Sequence, residues 1–142
     1  MRLHKRIFLF ALFILLSVLC FTPKSLIKGD VILQNIAYES TASQNTGNFP
    51  VSDSAKQELL AYLKTCKIYG TLYPPASGSS EDYLYIGLHT GTHFIDIHFF
   101  HADCYVLIGE RPFVYHFTNA DKVRQNVFDI LGLPKSSASI IR

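Results

Sequence analysis

One stretch of the chain, HTGTHFIDIHFFHADC, concentrates side chains that could bind a metal ion. It holds four of the six histidines in the 142 residues, together with Asp96 and Cys104. Zinc requires three or four such ligands converging at about 2 Å from one point. The first question is therefore whether the surrounding elements bring these side chains together.

Four short apolar segments lie before, within and after this stretch. Their spacing predicts four antiparallel strands in a meander. The segments are YLYIGLH, HFIDIHFF, CYVLIG and PFVYHF. Connections this short force neighbouring strands to run antiparallel. The predicted turns are Thr90-Gly91, Ala102-Asp103 and Glu110-Arg111.

The register of these strands follows from setting apolar residues opposite apolar residues, because side chains alternate between the two faces of a strand. The predicted pairs are Ile86 with Ile95, Ile97 with Ile108, and Val106 with Tyr115. One face is then apolar and should meet the helices. The opposite face carries Tyr83, Tyr85, His89, Phe94, Asp96, His98, Phe100, Tyr105, Leu107, Val114 and His116.

This register scatters the histidines. His89 and His98 share a face but lie about 20 Å apart along the strand, while His93 points to the other face. The interpretation is a polar strip on an amphipathic sheet, with no metal centre. Two alternative ligand sets stay open: Asp96, His98 and His116, or His101 with Cys104 across a tight turn.

No other motif in the chain predicts catalysis. The serines of PPASGSSED lie in a proline-flanked loop and not in a nucleophile elbow. Neither glycine pattern that binds phosphate groups occurs. The sequence therefore predicts no catalytic residues and no cofactor.

Aromatic side chains are the conspicuous feature of the polar face. A freely solvated sheet seldom exposes so many rings, and such a patch often marks a binding surface. The predicted partner-binding residues are Tyr83, Tyr85, Phe94, Phe100 and Tyr105. The alternative is that the first strand, the PPASGSSED loop or the N-terminal tether folds over them.

An uncharged run of 15 residues, Ile7 to Phe21, follows Arg2, Lys5 and Arg6. This layout is typical of a secretory signal or a signal anchor, with the N-terminus in the cytoplasm. No site with small residues suits cleavage, which favours an uncleaved anchor; a cleaved signal and secretion stay the alternative. The run measures about 22 Å as a helix, short of a hydrocarbon core of about 30 Å.

Charge is divided unevenly along the chain. The first 28 residues carry five of the 13 basic side chains and no acidic ones, which leaves eight basic against 11 acidic in the remainder. A mildly acidic domain without a basic stripe argues against a nucleic-acid partner. It also argues against a second membrane contact on the domain surface.

Two cysteines, Cys66 and Cys104, lie beyond the apolar run. An extracytoplasmic location would permit a disulfide between them. Two buried thiols are the favoured interpretation.

Helical and extended patterns in the remainder predict an α+β fold. VSDSAKQELLAYLKTC is a helix with Ser52 as its N-cap, and NADKVRQNVFDIL is a second, with Thr118 and Asp121 in capping-box spacing and Gly132 at its end. VILQNIAYES and KIYGTLY add one or two N-terminal strands. Both helices should lie on one face of the antiparallel sheet, after a single transmembrane helix. The predicted parts are a cytoplasmic N-terminus (1–6), an anchor (7–22), a tether (23–29), an extracytoplasmic domain (30–134) and a tail (135–142).

From Asp30 to Gly132 the chain loosely resembles small, N-terminally anchored extracytoplasmic proteins of Gram-positive bacteria. The pieces that carry the resemblance are the anchor, VSDSAKQELLAYL after a first strand, the hairpin from YLYIGL to FIDIHFF, and VLIGERPFVYHF leading into the last helix. Such proteins bring no established activity. The resemblance implies an anchored domain, and the aromatic face then predicts binding of a protein or of cell-envelope material; a metal-binding protein is the alternative.

Overall fold

The computed structural model describes residues 2–40, 49–71, 82–100 and 103–134. Within these ranges the chain forms three helices and seven strands. The helices are α1 (Arg2–Phe21), α2 (Asp53–Thr65) and α3 (Ala120–Leu131). The strands are β1 (Lys24–Ser25), β2 (Val31–Ser40), β3 (Lys67–Thr71), β4 (Asp82–Thr90), β5 (Phe94–Phe99), β6 (Cys104–Ile108) and β7 (Val114–Phe117).

All seven strands belong to one antiparallel sheet in the order β1-β3-β7-β6-β5-β4-β2. The α+β class is thus the one that the sequence predicts. Strand β2 contains a bulge between Leu33 and Asn35, where the alternation of its apolar residues shifts by one position.

One face of the sheet carries the core. Burial alternates strictly along β5, where Ile95, Ile97 and Phe99 are buried and their neighbours are not. Helices α2 and α3 pack on this face, with Leu59, Leu63 and other apolar side chains in the same cluster. The opposite face, called the outer face below, is not covered by α2 or α3.

At the ends of the two packed helices, two of the sequence predictions are confirmed and one is wrong. Ser52 caps α2, since its hydroxyl accepts a hydrogen bond from the Ala55 amide at 3.2 Å. The predicted capping box of α3 is wrong, because its N-cap is Asn119 and makes no side-chain hydrogen bond. Thr118 is still part of the sheet region, where its amide donates to the Lys67 carbonyl. Gly132 ends α3 in the left-handed conformation, as predicted.

Two of the three predicted registers are wrong by two residues. The structure pairs Ile86 with Ile97 and Ile97 with Val106. The first turn centres on Gly91 and Thr92, because the Thr90 amide donates to the His93 carbonyl. A shift of two residues leaves every side chain on its own face, so the apolar pattern cannot detect it. The pairing of Val106 with Tyr115 is as predicted.

The N-terminal segment forms α1, in which every side chain from Lys5 to Leu16 is exposed. Among the described residues, no helix combines the length and the apolar character that crossing a bilayer requires.

The predicted tether, 23–29, is not a simple spacer. Lys24 and Ser25 form β1 and pair with Ile68 and Lys67 of β3. The next two residues, Leu26 and Ile27, are buried in the core at 4% and 5% exposure. Their apolar side chains close the core, so the domain begins at Lys24 and not at Asp30. The predicted tail, 135–142, and most of the PPASGSSED loop lie outside the described residues.

Candidate functional site

Five rings lie in one row across the outer face of the sheet. Tyr85 pairs with His98, His98 with Tyr105, Tyr105 with His116, and His116 with Tyr69. The row therefore alternates tyrosine and histidine over five adjacent strands. Neighbouring strands are about 4.8 Å apart, so the row extends for roughly 19 Å.

The three rings at the β4 end of this row pack with Tyr83 and Phe100 into a cluster. We call it the outer aromatic cluster: Tyr83, Tyr85, His98, Phe100 and Tyr105. The His98 and Tyr105 ring centroids are 4.7 Å apart with planes at 19°. Two rings that lay flat on the sheet, side by side in one plane, could not approach this closely. The two rings therefore stand away from the sheet and stack face to face. The cluster consequently presents ring edges to the solvent.

Polar atoms within the cluster bond to each other. The Tyr85 hydroxyl donates to Asp96 Oδ1 at 2.7 Å, and the Tyr83 hydroxyl lies 2.8 Å from His98 Nδ1. Burial raises the pKa of Tyr83 to about 12. Burial, together with the hydrogen bond to Asp96, raises the pKa of Tyr85 to about 12 as well. Both hydroxyls thus keep their protons at neutral pH and do not act as bases.

Gly87 makes room for Tyr85. A Cβ atom at this position would lie 2.8 Å from the Tyr85 hydroxyl. Gly87 is also the register partner of Asp96, so the ring leans along β4 over the glycine to reach the carboxylate on the next strand.

The variant Gly87→Ala should therefore displace the Tyr85 hydroxyl and break its bond to Asp96. We expect the pKa of Tyr85 to fall from about 12 toward its ordinary value of 10, with a loss of about 1 kcal/mol in stability. NMR titration of the Tyr85 Cζ resonance measures the pKa. Gly91→Ala is the control, since a Cβ there has no atom within 4 Å; an unchanged Tyr85 pKa in Gly87→Ala would contradict the arrangement.

His98 is held neutral by its surroundings. Burial lowers its pKa below the ordinary 6.5, although the charge of Asp96 acts in the opposite direction. Since the unfolded chain takes up this proton at a higher pH than the folded chain, the stability of the native state falls as the pH drops through 6.5.

Urea unfolding of the protein and of His98→Gln, between about pH 7.5 and pH 5, tests this linkage. The protein should lose more stability on acidification than the variant does. Other groups titrate in both forms, so the difference between the two isolates His98. An equal or larger loss in the variant would show that His98 is not held neutral.

Comparison of the chain with protein-family models, with curated proteins and with solved structures finds no match.

Two of the five predicted partner-binding residues, Tyr105 and Phe94, differ from the other three in exposure or in position. Tyr105 is only 9% exposed, because the rings of His98 and Phe100 stack on it, and so offers little surface. Phe94 is 58% exposed but lies apart from the cluster, at the other end of β5. There it packs against His89 with centroids 4.6 Å apart, and His89 pairs with the exposed Ile32. Tyr83, Tyr85 and Phe100 are half-buried and remain accessible.

The candidate metal ligands have separate partners. Asp96 accepts from Tyr85, His98 contacts Tyr83, and the His116 Nδ1 lies 3.7 Å from Asp103. Across the described ranges, no three histidine, cysteine or acidic side chains come close enough to share an ion. His101, predicted as a ligand with Cys104, lies outside the described residues.

Cys66 and Cys104 are buried free thiols. Burial raises the pKa of Cys66 and places the pKa of Cys104 well above its ordinary value. The thiolate is the reactive form, so neither group is arranged as a nucleophile.

Sequence reasoning placed His116 on the outer face but missed Tyr69, which extends the row of rings onto β3. The alternation in KIYGTLY places Tyr69 on a face, but nothing local shows that its strand lies beside β7. That neighbour relation is set by the whole-sheet topology.

Proposed function

We propose that the protein is a membrane-anchored extracytoplasmic domain that binds a protein or cell-envelope partner through the outer face of its sheet. The observation that carries this proposal is the set of accessible rings, Tyr83, Tyr85 and Phe100, on the face opposite α2 and α3. The rings are fixed by stacking and by the hydrogen bonds of Tyr83 and Tyr85. A preorganised surface loses little side-chain entropy when it binds.

Charge on the same face narrows the class of partner. Glu39, Asp96 and Asp103 lie around the cluster, and Lys67 lies at the β3 end of the face. A polyanion would be repelled by the three carboxylates. The face therefore favours a neutral or basic partner and disfavours nucleic acid.

The anchoring part of the proposal is supported by α1. Its apolar side chains from Ile7 to Val18 are exposed on every side, and a helix that is apolar all round is stable only when it is surrounded by apolar material. The uncharged run is short, and Arg6 at its start has a long side chain that can extend toward the membrane surface. Removal of the segment as a signal peptide would instead secrete the domain.

Affinity capture from native membranes tests the partner surface. The bait is the full chain, compared with the double variant Tyr83→Ser and Phe100→Ser. Buried aromatic anchors commonly contribute 2 kcal/mol or more, so recovery of a specific partner should fall at least tenfold.

The matched control for this capture is Gln57→Ser with Lys64→Ser, two exposed residues of α2 on the opposite side of the molecule. This control should retain the partner. Equal recovery with the outer-face variant, when circular dichroism shows both variants folded, would exclude the outer aromatic cluster as the binding surface.

A further inference from the structure

A pocket of about 260 Å³ lies at the end of the sheet where the chain leaves the N-terminal helix. Its sides come from the crossing segment 24–28, the turn between β4 and β5, and the turn after β6. Lys24, Lys28 and Arg111 supply cations, and Thr90 and Thr92 supply hydroxyls. Its floor is apolar and includes the buried Leu26, Ile95 and Ile108.

The positive charge of this pocket is not neutralised. No acidic residue lines it, and within the described ranges no carboxylate lies within ion-pair distance of Lys24, Lys28 or Arg111. The Lys24 ammonium is held by the Tyr115 ring, 4.2 Å from the centroid. Three cations and the Thr92 hydroxyl around one cavity suit a phosphate group, whose oxygens accept hydrogen bonds from ammonium, guanidinium and hydroxyl donors. The Thr90 hydroxyl already donates to the His93 carbonyl at 3.1 Å.

The net charge of the domain conceals this local feature. The sequence beyond residue 28 has more acidic than basic residues, and on that ground we expected no membrane contact on the domain surface. The cations gather because the fold brings 24–28 beside Arg111, more than 80 positions later in the chain.

The position of the pocket indicates which kind of phosphate-bearing molecule it would bind. Lys24 follows the last residue of α1 by three positions. At the same end of the sheet, Ile32 and Phe94 are 63% and 58% exposed, the two large apolar side chains outside α1 that are most accessible in the described chain. Exposed apolar groups beside cations are typical of a surface that contacts lipid headgroups.

We propose that this pocket binds the phosphodiester of an anionic phospholipid and holds this end of the sheet against the membrane. The inference rests on the insertion of α1 that the proposed function includes. The apolar floor accommodates the glycerol and first acyl carbons of a lipid, which a free phosphate ion lacks. Phe94 and Ile32 then enter the headgroup region.

The test uses the full chain in neutral detergent micelles, titrated with short-chain phosphatidylglycerol and followed through the amide resonances of Thr90 and Thr92. We expect saturable shifts. Each basic side chain near a membrane surface contributes about 1 kcal/mol, so Lys28→Gln with Arg111→Gln should weaken binding about 30-fold. The control, Lys64→Gln with Lys122→Gln, removes the same charge from exposed positions on α2 and α3 and should bind as the parent does.

Two further ligands distinguish the sources of phosphate. Phosphatidylcholine of the same chain length, which has no net charge, and inorganic phosphate should both shift these resonances much less. Equal binding of inorganic phosphate would overturn the lipid assignment. Equal binding of phosphatidylcholine, or unchanged affinity in the Lys28 and Arg111 variant, would overturn the pocket.

Flotation separates this proposal from the anchoring on which it rests. The Lys28 and Arg111 variant should float with vesicles of phosphatidylcholine, because α1 alone inserts there. Failure to float would refute the anchoring while the micelle titration still reports on the pocket.

Discussion

Replacing Phe99 with alanine should lower the free energy of unfolding by about 4 kcal/mol, roughly a thousandfold change in the folding equilibrium. Phe99 has no solvent exposure. Its ring contacts Phe117 and Phe128, with centroids 6.1 Å and 6.4 Å away, so it joins the sheet to α3. Truncation removes the buried ring and leaves a cavity that these neighbours cannot fill.

Phe94→Ala is the matched control, since it makes the same substitution five residues earlier on the same strand. Phe94 is 58% exposed on the outer face, and its truncation should change stability by less than about 0.5 kcal/mol. Urea denaturation of the two variants measures both values. Similar losses of stability from the two substitutions would contradict a sheet with one buried face and one exposed face.

The thiols of Cys66 and Cys104 should react with a disulfide reagent at least about a thousandfold more slowly in the native protein than in urea. They are 6% and 3% exposed, and burial raises the pKa of both groups, so access and thiolate formation are limited together. The thiols can react only when the domain unfolds transiently. Such unfolding is rare when the free energy of unfolding has the value usual for a small domain.

The measurement is best made on Cys20→Ser, which removes the third cysteine from the count. Two thiols should appear in urea without a reductant. Rapid labelling of the folded protein would contradict the burial. Thiols that appear in urea only after reduction would show that the cysteines are bridged.

The faces of the strands could be predicted from the sequence because burial alternates with a period of two. The alternation correctly predicts Ile95 and Ile97 in the core, and Asp96 and His98 on the outer face. The same alternation does not determine the register of the strands, because Ile86 faces an isoleucine whether its partner is Ile95 or Ile97. Only the turn geometry at Gly91 and Thr92 decides between them.

The candidate sites depend on features that alternation does not encode. Tyr105 lies on the outer face as predicted, yet neighbouring rings bury it. The row of rings extends from His116 to Tyr69 because β3 lies beside β7. The basic pocket arises where the predicted tether crosses the sheet near Arg111. Each is a product of long-range topology, which local patterns in a sequence do not determine.

Site-specific photo-crosslinking in intact cells tests the outer-face proposal most directly. A benzophenone amino acid replaces Phe100 in the full chain, and the same group at Lys64 on α2 provides the control. We expect one discrete crosslinked product from position 100, absent from position 64 and abolished by Tyr83→Ser. Crosslinks from position 64 alone, or none from position 100 in a folded protein at native abundance, would contradict a partner on the outer aromatic cluster.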